Sequence, residues 1–123
     1  MSAYSREFFT GTGDGTGLKV TSTTSGAANV VHTVPSDAVD EIWLYATNDH
    51  GSDLLLSVLF GDSDDPDDYI KKTIPSQDGL VLVVPGLVLD EGLRITAFAA
   101  SANEVMIHGY VNRITSTSGL GGG

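Results

Sequence analysis

The densest reactive feature of the sequence is carboxylate: residues 61–68 read GDSDDPDD and put five aspartates into seven positions. Crowded carboxylates suit a hard cation such as calcium, which takes about six to eight oxygen ligands. A calcium loop of the EF-hand type needs glycine at its sixth position and glutamate at its twelfth. Counted from Asp62, those positions hold Asp67 and Thr73, and the pattern fails. The stretch from Asp62 to Asp68 is therefore read first as a solvated acidic turn between two strands, the usual fate of a charge run.

A second glycine-rich stretch, GTGDGTG at residues 11–17, has the look of a phosphate cradle, but a GxGxxG fingerprint would need glycine where the chain has Thr16. No Lys-Ser or Lys-Thr pair completes a Walker loop there, and no helix follows to supply a dipole. His32, His50 and His108 fall in three different elements, without the i, i+2 or i, i+4 spacing of a metal pair. Serines are abundant, yet no GxSxG elbow occurs. With no cysteine in the chain, thiolate nucleophiles, thiolate metal sites and disulfides are all excluded. Reactive residue types are present without a constellation, so the expectation is a protein that is not an enzyme and has no cofactor.

The elements that would position these residues are strands. Short β-rich runs alternate with turn punctuation, and no long window keeps a capped helical period. Runs at 29–34, 41–47, 54–60, 69–74, 79–84, 93–99 and 105–114, with shorter ones at 7–10 and 18–21, give eight or nine strands and little or no helix. Prolines 35, 66, 75 and 85 fall at the ends of runs, where a residue without an N–H does no harm to a ladder. The spacing predicts an all-β protein built as a single antiparallel β-sandwich. A chain of 123 residues fits one such domain, and near this size about two-thirds of the unfolded surface becomes buried. The expected divisions are residues 1–27 as an N-terminal arm with the first strands, 28–115 as the sandwich, and 116–123, STSGLGGG, as a flexible tail.

Alternation assigns faces. In 54–60 the even residues Leu54, Leu56, Val58 and Phe60 form the core side, because the odd set contains Ser57. In 105–114 the core side is Val105, Ile107, Gly109 and Val111, opposite Met106, His108, Tyr110 and Asn112. The run 41–47 is apolar on both sides, with Ile42, Leu44 and Ala46 against Trp43 and Tyr45, so one side is expected to meet a partner. Tyr4, Phe8 and Phe9 stand in a polar N-terminal context, either packed on the chain's own sheet or held out for another molecule. The candidate interface residues are thus Tyr4, Phe8, Phe9, Trp43, Tyr45 and Tyr110.

The formal net charge of −10 repels phosphate backbones and anionic lipid, so no direct contact with nucleic acid or membrane is expected. The first residues, MSAYSREFF, have neither a basic region nor an apolar core of a secretion signal. No apolar run approaches the roughly 18 to 20 residues of a membrane span.

The runs VHTVPSDAVDEIWLYATN (31–48), DGLVLVVPGLVL (78–89) and GYVNRI (109–114) resemble small accessory structural proteins of tailed bacteriophages, which include jelly-roll decoration, or cement, proteins of the capsid. The resemblance covers about residues 29–114 and carries no catalytic or ligand motif. It implies a jelly-roll-like sandwich that assembles in the host cytoplasm into the virion, as a homotrimer on the major capsid protein or another virion protein. Two rivals stand beside it. One is a tail or head-tail junction component. The other is a calcium-dependent carbohydrate-binding sandwich, with Asp62 to Asp68 as the metal loop and Trp43, Tyr45 and Tyr110 stacking on sugar.

Overall fold

A computed structural model describes residues 2–116 of the chain. The strands are β1 (Ser2–Glu7), β2 (Leu18–Val20), β3 (Asn29–Thr33), β4 (Ala38–Asn48), β5 (Leu54–Gly61), β6 (Tyr69–Ile74), β7 (Val81–Leu89), β8 (Arg94–Ala99) and β9 (Val105–Ser116). A single 3-10 turn, Ser25–Ala27, is the helical content among the described residues. No helix there is long and apolar enough to cross a membrane. Of the flexible tail expected at residues 116–123, Ser116 ends β9 and the rest lies outside the described residues.

All strand pairs are antiparallel and divide into two sheets. In the first sheet β1 and β2 lie end to end along one side of β9, followed by β4 and then β7; the second has the order β3, β8, β5, β6. The pairs nest: β5 with β6, β4 with β7, β3 with β8, and β1 and β2 with β9. A long double ribbon folded over on itself gives this order, with alternate segments of the ribbon falling in opposite sheets. The expected all-β antiparallel sandwich is what the chain forms.

Alternation places the core. Along β4 every even residue from Ala38 to Asn48 is buried and every odd one is half-exposed, so Ile42, Leu44 and Ala46 face inward. They meet Leu56 and Val58 of β5, Ile95 and Ala97 of β8, and Val105, Ile107 and Val111 of β9 in one cluster. Burial of an aliphatic side chain of this size contributes about 1.5–3 kcal/mol. The core sides read from 54–60 and 105–114 are those observed, with Phe60 packed at the margin. On the opposite side of β5, Leu55 is exposed, but Ser57 and Leu59 are buried. Their cross-strand partners are Phe98 and Tyr69, whose rings meet edge to face at 6.0 Å and form a small apolar layer outside the second sheet.

Two expected strands are placed differently. The run 79–84 does not stop at Pro85-Gly86 but continues as β7 to Leu89. Gly86, at φ +82°, is an extra residue between the pairs Trp43–Pro85 and Ile42–Leu87, a β-bulge on an edge strand where a missing N–H is tolerated. The run 7–10 is not a strand either: β1 ends at Glu7, and residues 8–17 leave the edge of the first sheet, touch β3 in the second, and return as β2. The reason is Gly109. It points toward the core at φ +144°, and the Phe9 ring lies where its side chain would be. The N-terminal residues are thus built into the sandwich.

A Cβ on Gly109 would collide with the Trp43 carbonyl oxygen and stand 2.9 Å from the Phe9 ring. Gly109→Ala should therefore lower stability by about 3 kcal/mol or more, from strain and overpacking together. Gly51→Ala, with nothing within 4 Å of the added carbon, should stay within about 0.5 kcal/mol. Urea unfolding of the two variants beside the parent checks this.

Candidate interaction face

The residues first suspected of chemistry are dispersed. Asp62, Asp64 and Asp68 bring one carboxylate oxygen each within 4.8 Å of one another in the turn between β5 and β6. The turn also uses them itself: Asp62 Oδ1 accepts from the Ser63 N–H at 2.8 Å and Asp68 Oδ2 from the Asp64 N–H at 3.0 Å. In the glycine-rich stretch the Gly11 and Gly13 amides donate to Val31 and Phe9 carbonyls, so they do not converge on an anion. Asp14 accepts from the Thr16 hydroxyl and amide, which hold its carboxyl below the usual range. His50 stands 3.8 Å from Glu104, and His108 lies on the outside of the first sheet.

His32 is the exception in kind, being fully buried. It rises from β3 into the interlayer space with Asp40 of β4, also fully buried, and its Nε2 lies 2.6 Å from Asp40 Oδ2. Arg113 of β9 clamps the same carboxylate from the other side, Nε to Oδ1 at 2.9 Å and Nη2 to Oδ2 at 3.1 Å. The Thr10 N–H donates to His32 Nδ1 at 3.1 Å. That contact fixes the neutral tautomer: Nδ1 accepts, and Nε2 donates to Asp40. Both ring nitrogens are engaged, leaving none to act as a base on a substrate.

Burial favours the neutral imidazole more than Asp40 opposes it, so His32 titrates below its ordinary 6.5. Burial also raises Asp40, but the hydrogen bonds from Arg113 and His32 and their charges together outweigh it, leaving that carboxyl below its ordinary 3.8. The trio joins three strands from two sheets. Among the described residues no buried side-chain nitrogen or oxygen lacks a partner.

The outside of the first sheet is where the expected interface residues gather. Cross-strand register aligns Tyr4 with Ile114, Arg6 with Asn112 and Glu41, Trp43 with Tyr110 and Pro85, and Tyr45 with His108 and Leu82. Trp43 and Tyr110 run nearly parallel, 17° apart with centroids at 6.5 Å, and the Arg6 guanidinium carbon lies 4.6 Å from the Tyr110 ring centre. Glu41 Oε1 accepts from Trp43 Nε1 at 2.7 Å and from Asn112 Nδ2 at 2.9 Å, while Arg6 Nε donates to Asn112 Oδ1 at 3.2 Å. Those bonds, Asn112 first, hold the Glu41 carboxyl below its usual range. On the far side, the Trp43 ring lies against the bare backbone of Gly86.

Of the six candidate interface residues, Tyr4, Trp43, Tyr45 and Tyr110 share this face. Tyr4 is 78% exposed, while the other three are half-buried. Phe8 is exposed on the excursion, with its ring against Gly15. Phe9 is corrected: only 6% exposed, it is a core residue, because it fills the space left by Gly109. Sequence reasoning missed the apolar margin contributed by β7. Leu82 and Val88 are exposed, as are Leu80 just before the strand and Leu87 within it. The signal was available, since LVLVVPGLVL resumes its apolar run after Pro-Gly.

Comparison with known protein families, with characterised proteins and with solved structures finds no match to this chain.

Asp40→Asn keeps the size of the side chain but removes the charge facing Arg113, so it should cost about 3–5 kcal/mol, the range for breaking a buried ion pair. Glu41→Gln, on the outer face, should lower the melting temperature far less, because solvent screens that charge. Thermal melts at neutral pH compare the two.

Proposed function

We propose that this protein is a non-catalytic structural component of a tailed-bacteriophage particle, a capsid decoration protein that docks on the head through the outside of its first sheet. The observation that carries the proposal is the ordered row Gly86, Trp43, Tyr110 and Arg6, bordered by Glu41 and Asn112. Aromatic residues and arginine dominate the energetics of protein interfaces, and anchors already held in place lose little freedom on binding. Here Glu41, Trp43, Asn112 and Arg6 already exchange hydrogen bonds with one another, which lowers the polar cost of covering the face with protein.

The same geometry argues against a sugar platform. Trp43 and Tyr110 turn toward each other, and Arg6 occupies a face of Tyr110 that a pyranose would need. The nested strand pairs support a jelly roll, a sandwich of two Greek keys suited to capsid surfaces. The sequence resemblance to virion proteins points the same way. A net charge of −10 complements a basic shell rather than nucleic acid. The exposed Leu82, Leu87 and Val88 on the edge strand β7 supply the contact between copies in a trimer. Pro85 and the bulge at Gly86 interrupt the hydrogen-bonding edge, favouring contact through side chains over sheet extension.

The test is binding of the purified chain to phage heads stripped of their accessory proteins, with solution mass measured in parallel. The wild type should run as a trimer and saturate the heads. Tyr4→Ala should weaken head binding tenfold or more while melting within about 2 °C of the parent, and Val88→Asp should shift the trimer to monomer while still melting cooperatively, since these side chains are exposed. A compact monomer that does not bind heads contradicts the proposal, and binding to tails alone replaces it with the tail reading.

A further inference from the structure

The buried histidine holds more than the core. Residues 8–17 connect β1 and β2, each of which has its own antiparallel ladder with β9. The segment can therefore open as a loop without unravelling either flank. Its ties to the second sheet are few and converge on one place: the Thr10 N–H to His32 Nδ1 at 3.1 Å, the Thr33 N–H to Thr10 Oγ1 at 2.8 Å, the Gly11 N–H to the Val31 carbonyl at 2.9 Å, and the Phe9 ring against the imidazole at 5.7 Å between centroids.

We propose that His32 is a proton-operated latch: one proton on Nδ1 releases residues 8–17 from β3 while the remainder of the sandwich stays folded. Nδ1 is an acceptor only while the ring is neutral. Once protonated it is a second donor aimed at the Thr10 donor, and that hydrogen bond becomes a repulsion. The other side of the ring is not disturbed, because Nε2 still donates to Asp40, and the new positive charge has a carboxylate 2.6 Å away. The outward movement of Thr10 therefore relieves the conflict and lets water solvate Nδ1–H.

The charges around the ring are consistent with this direction of opening. Asp40 faces it from β4, and Arg113 from β9 lies on the same carboxylate, with Glu7 of β1 and Asp37 acting on Arg113 in turn. The residue paired with His32 on β8 is Ile95, which carries no charge. The released segment presents only Phe9 and Thr10 to the ring; its one acid, Asp14, is tied to Thr16 in the exposed turn. The latch does not depend on what the outer face binds.

In the open form water reaches Nδ1 while Asp40 stays beside Nε2, so His32 takes its proton more readily than in the closed form, where burial opposes it. The sign follows from linkage: the open form binds the proton more readily, so closure is supported at higher pH and is lost as the pH falls, with the opening equilibrium growing by up to about tenfold per pH unit. Asp40 weakens the fold only in a lower window, beneath 3.8, so the two effects separate.

Residue-resolved amide exchange on the full chain between pH 7.5 and 4.5, with the His32 ring nitrogens followed by NMR, tests the latch. Protection at Thr10 and Gly11 should fall by up to about tenfold per pH unit across the range in which the ring signals show Nδ1 taking its proton, while Leu44 and Val58 in the central strands stay far better protected. His32→Gln should abolish that slope; the wild-type ring signals make the test independent of whether this variant folds. Protonation of His32 with Thr10 and Gly11 still protected overturns the proposal. So does exchange of all four amides through a single opening at every pH.

Discussion

Because a strand turns successive side chains to opposite sides, the register of β4 decides at once what the core contains and what the outer face displays. Its inward residues run from Ala38 through Asp40, Ile42, Leu44 and Ala46 to Asn48, all buried. Its outward residues include Glu41, Trp43 and Tyr45. A slip of one residue would put Trp43 into the interlayer space and Asp40 into solvent. Two polar residues near the ends of the inward row specify the register. Asp40 fits only where His32 and Arg113 meet it, and Asn48 only where its amide donates to the Ser52 and Ile74 carbonyls at 3.0 and 2.9 Å. An apolar residue at either place would leave a buried partner unpaired, His32 in the one case and the Ile74 carbonyl in the other, at a cost of about 1–3 kcal/mol for each such group.

The sandwich has two different margins. On one, residues 8–17 pass from the edge of the first sheet to β3, and Phe9 occupies the space over Gly109, so an N-terminal segment with little apolar surface of its own is held by a single ring and a few hydrogen bonds. On the other, β6 and β7 are free edges. Lys71 and Lys72 on β6 and the Pro85-Gly86 bulge on β7 are devices that discourage unlimited strand pairing. The apolar side chains of β7 remain exposed all the same. The buried core and the exposed apolar surface thus fall to different residues of neighbouring strands.

Alternation made much of this legible. The core sides of β5 and β9 and the outward placement of Tyr110 follow from a period of two and need no tertiary information; for β4, apolar on both sides, alternation separates Ile42, Leu44 and Ala46 from Trp43 and Tyr45 without saying which set faces in. What escaped depends on contacts distant in sequence. Pro85-Gly86 has the composition of a turn and becomes a bulge only because β4 runs beside it, 42 positions earlier at the Trp43–Pro85 pair. Phe9 is a core residue because position 109 is glycine, a fact with no local trace. Likewise His32, Asp40 and Arg113 give no motif, since three strands from two sheets must assemble before they touch. Leu59 and Ser57 were read as outward and are outward, yet lie under the Tyr69 and Phe98 pair.

The central claim is that the outward residues of β4 and its neighbours meet a partner in an assembled particle. Oxidative footprinting of the chain, free and within purified virions, addresses it directly. Trp43, Tyr110 and Tyr4 should become shielded on assembly while Phe8, on the excursion, stays as reactive as in the free chain. Equal labelling of Trp43, Tyr110 and Tyr4 in both states would contradict the account.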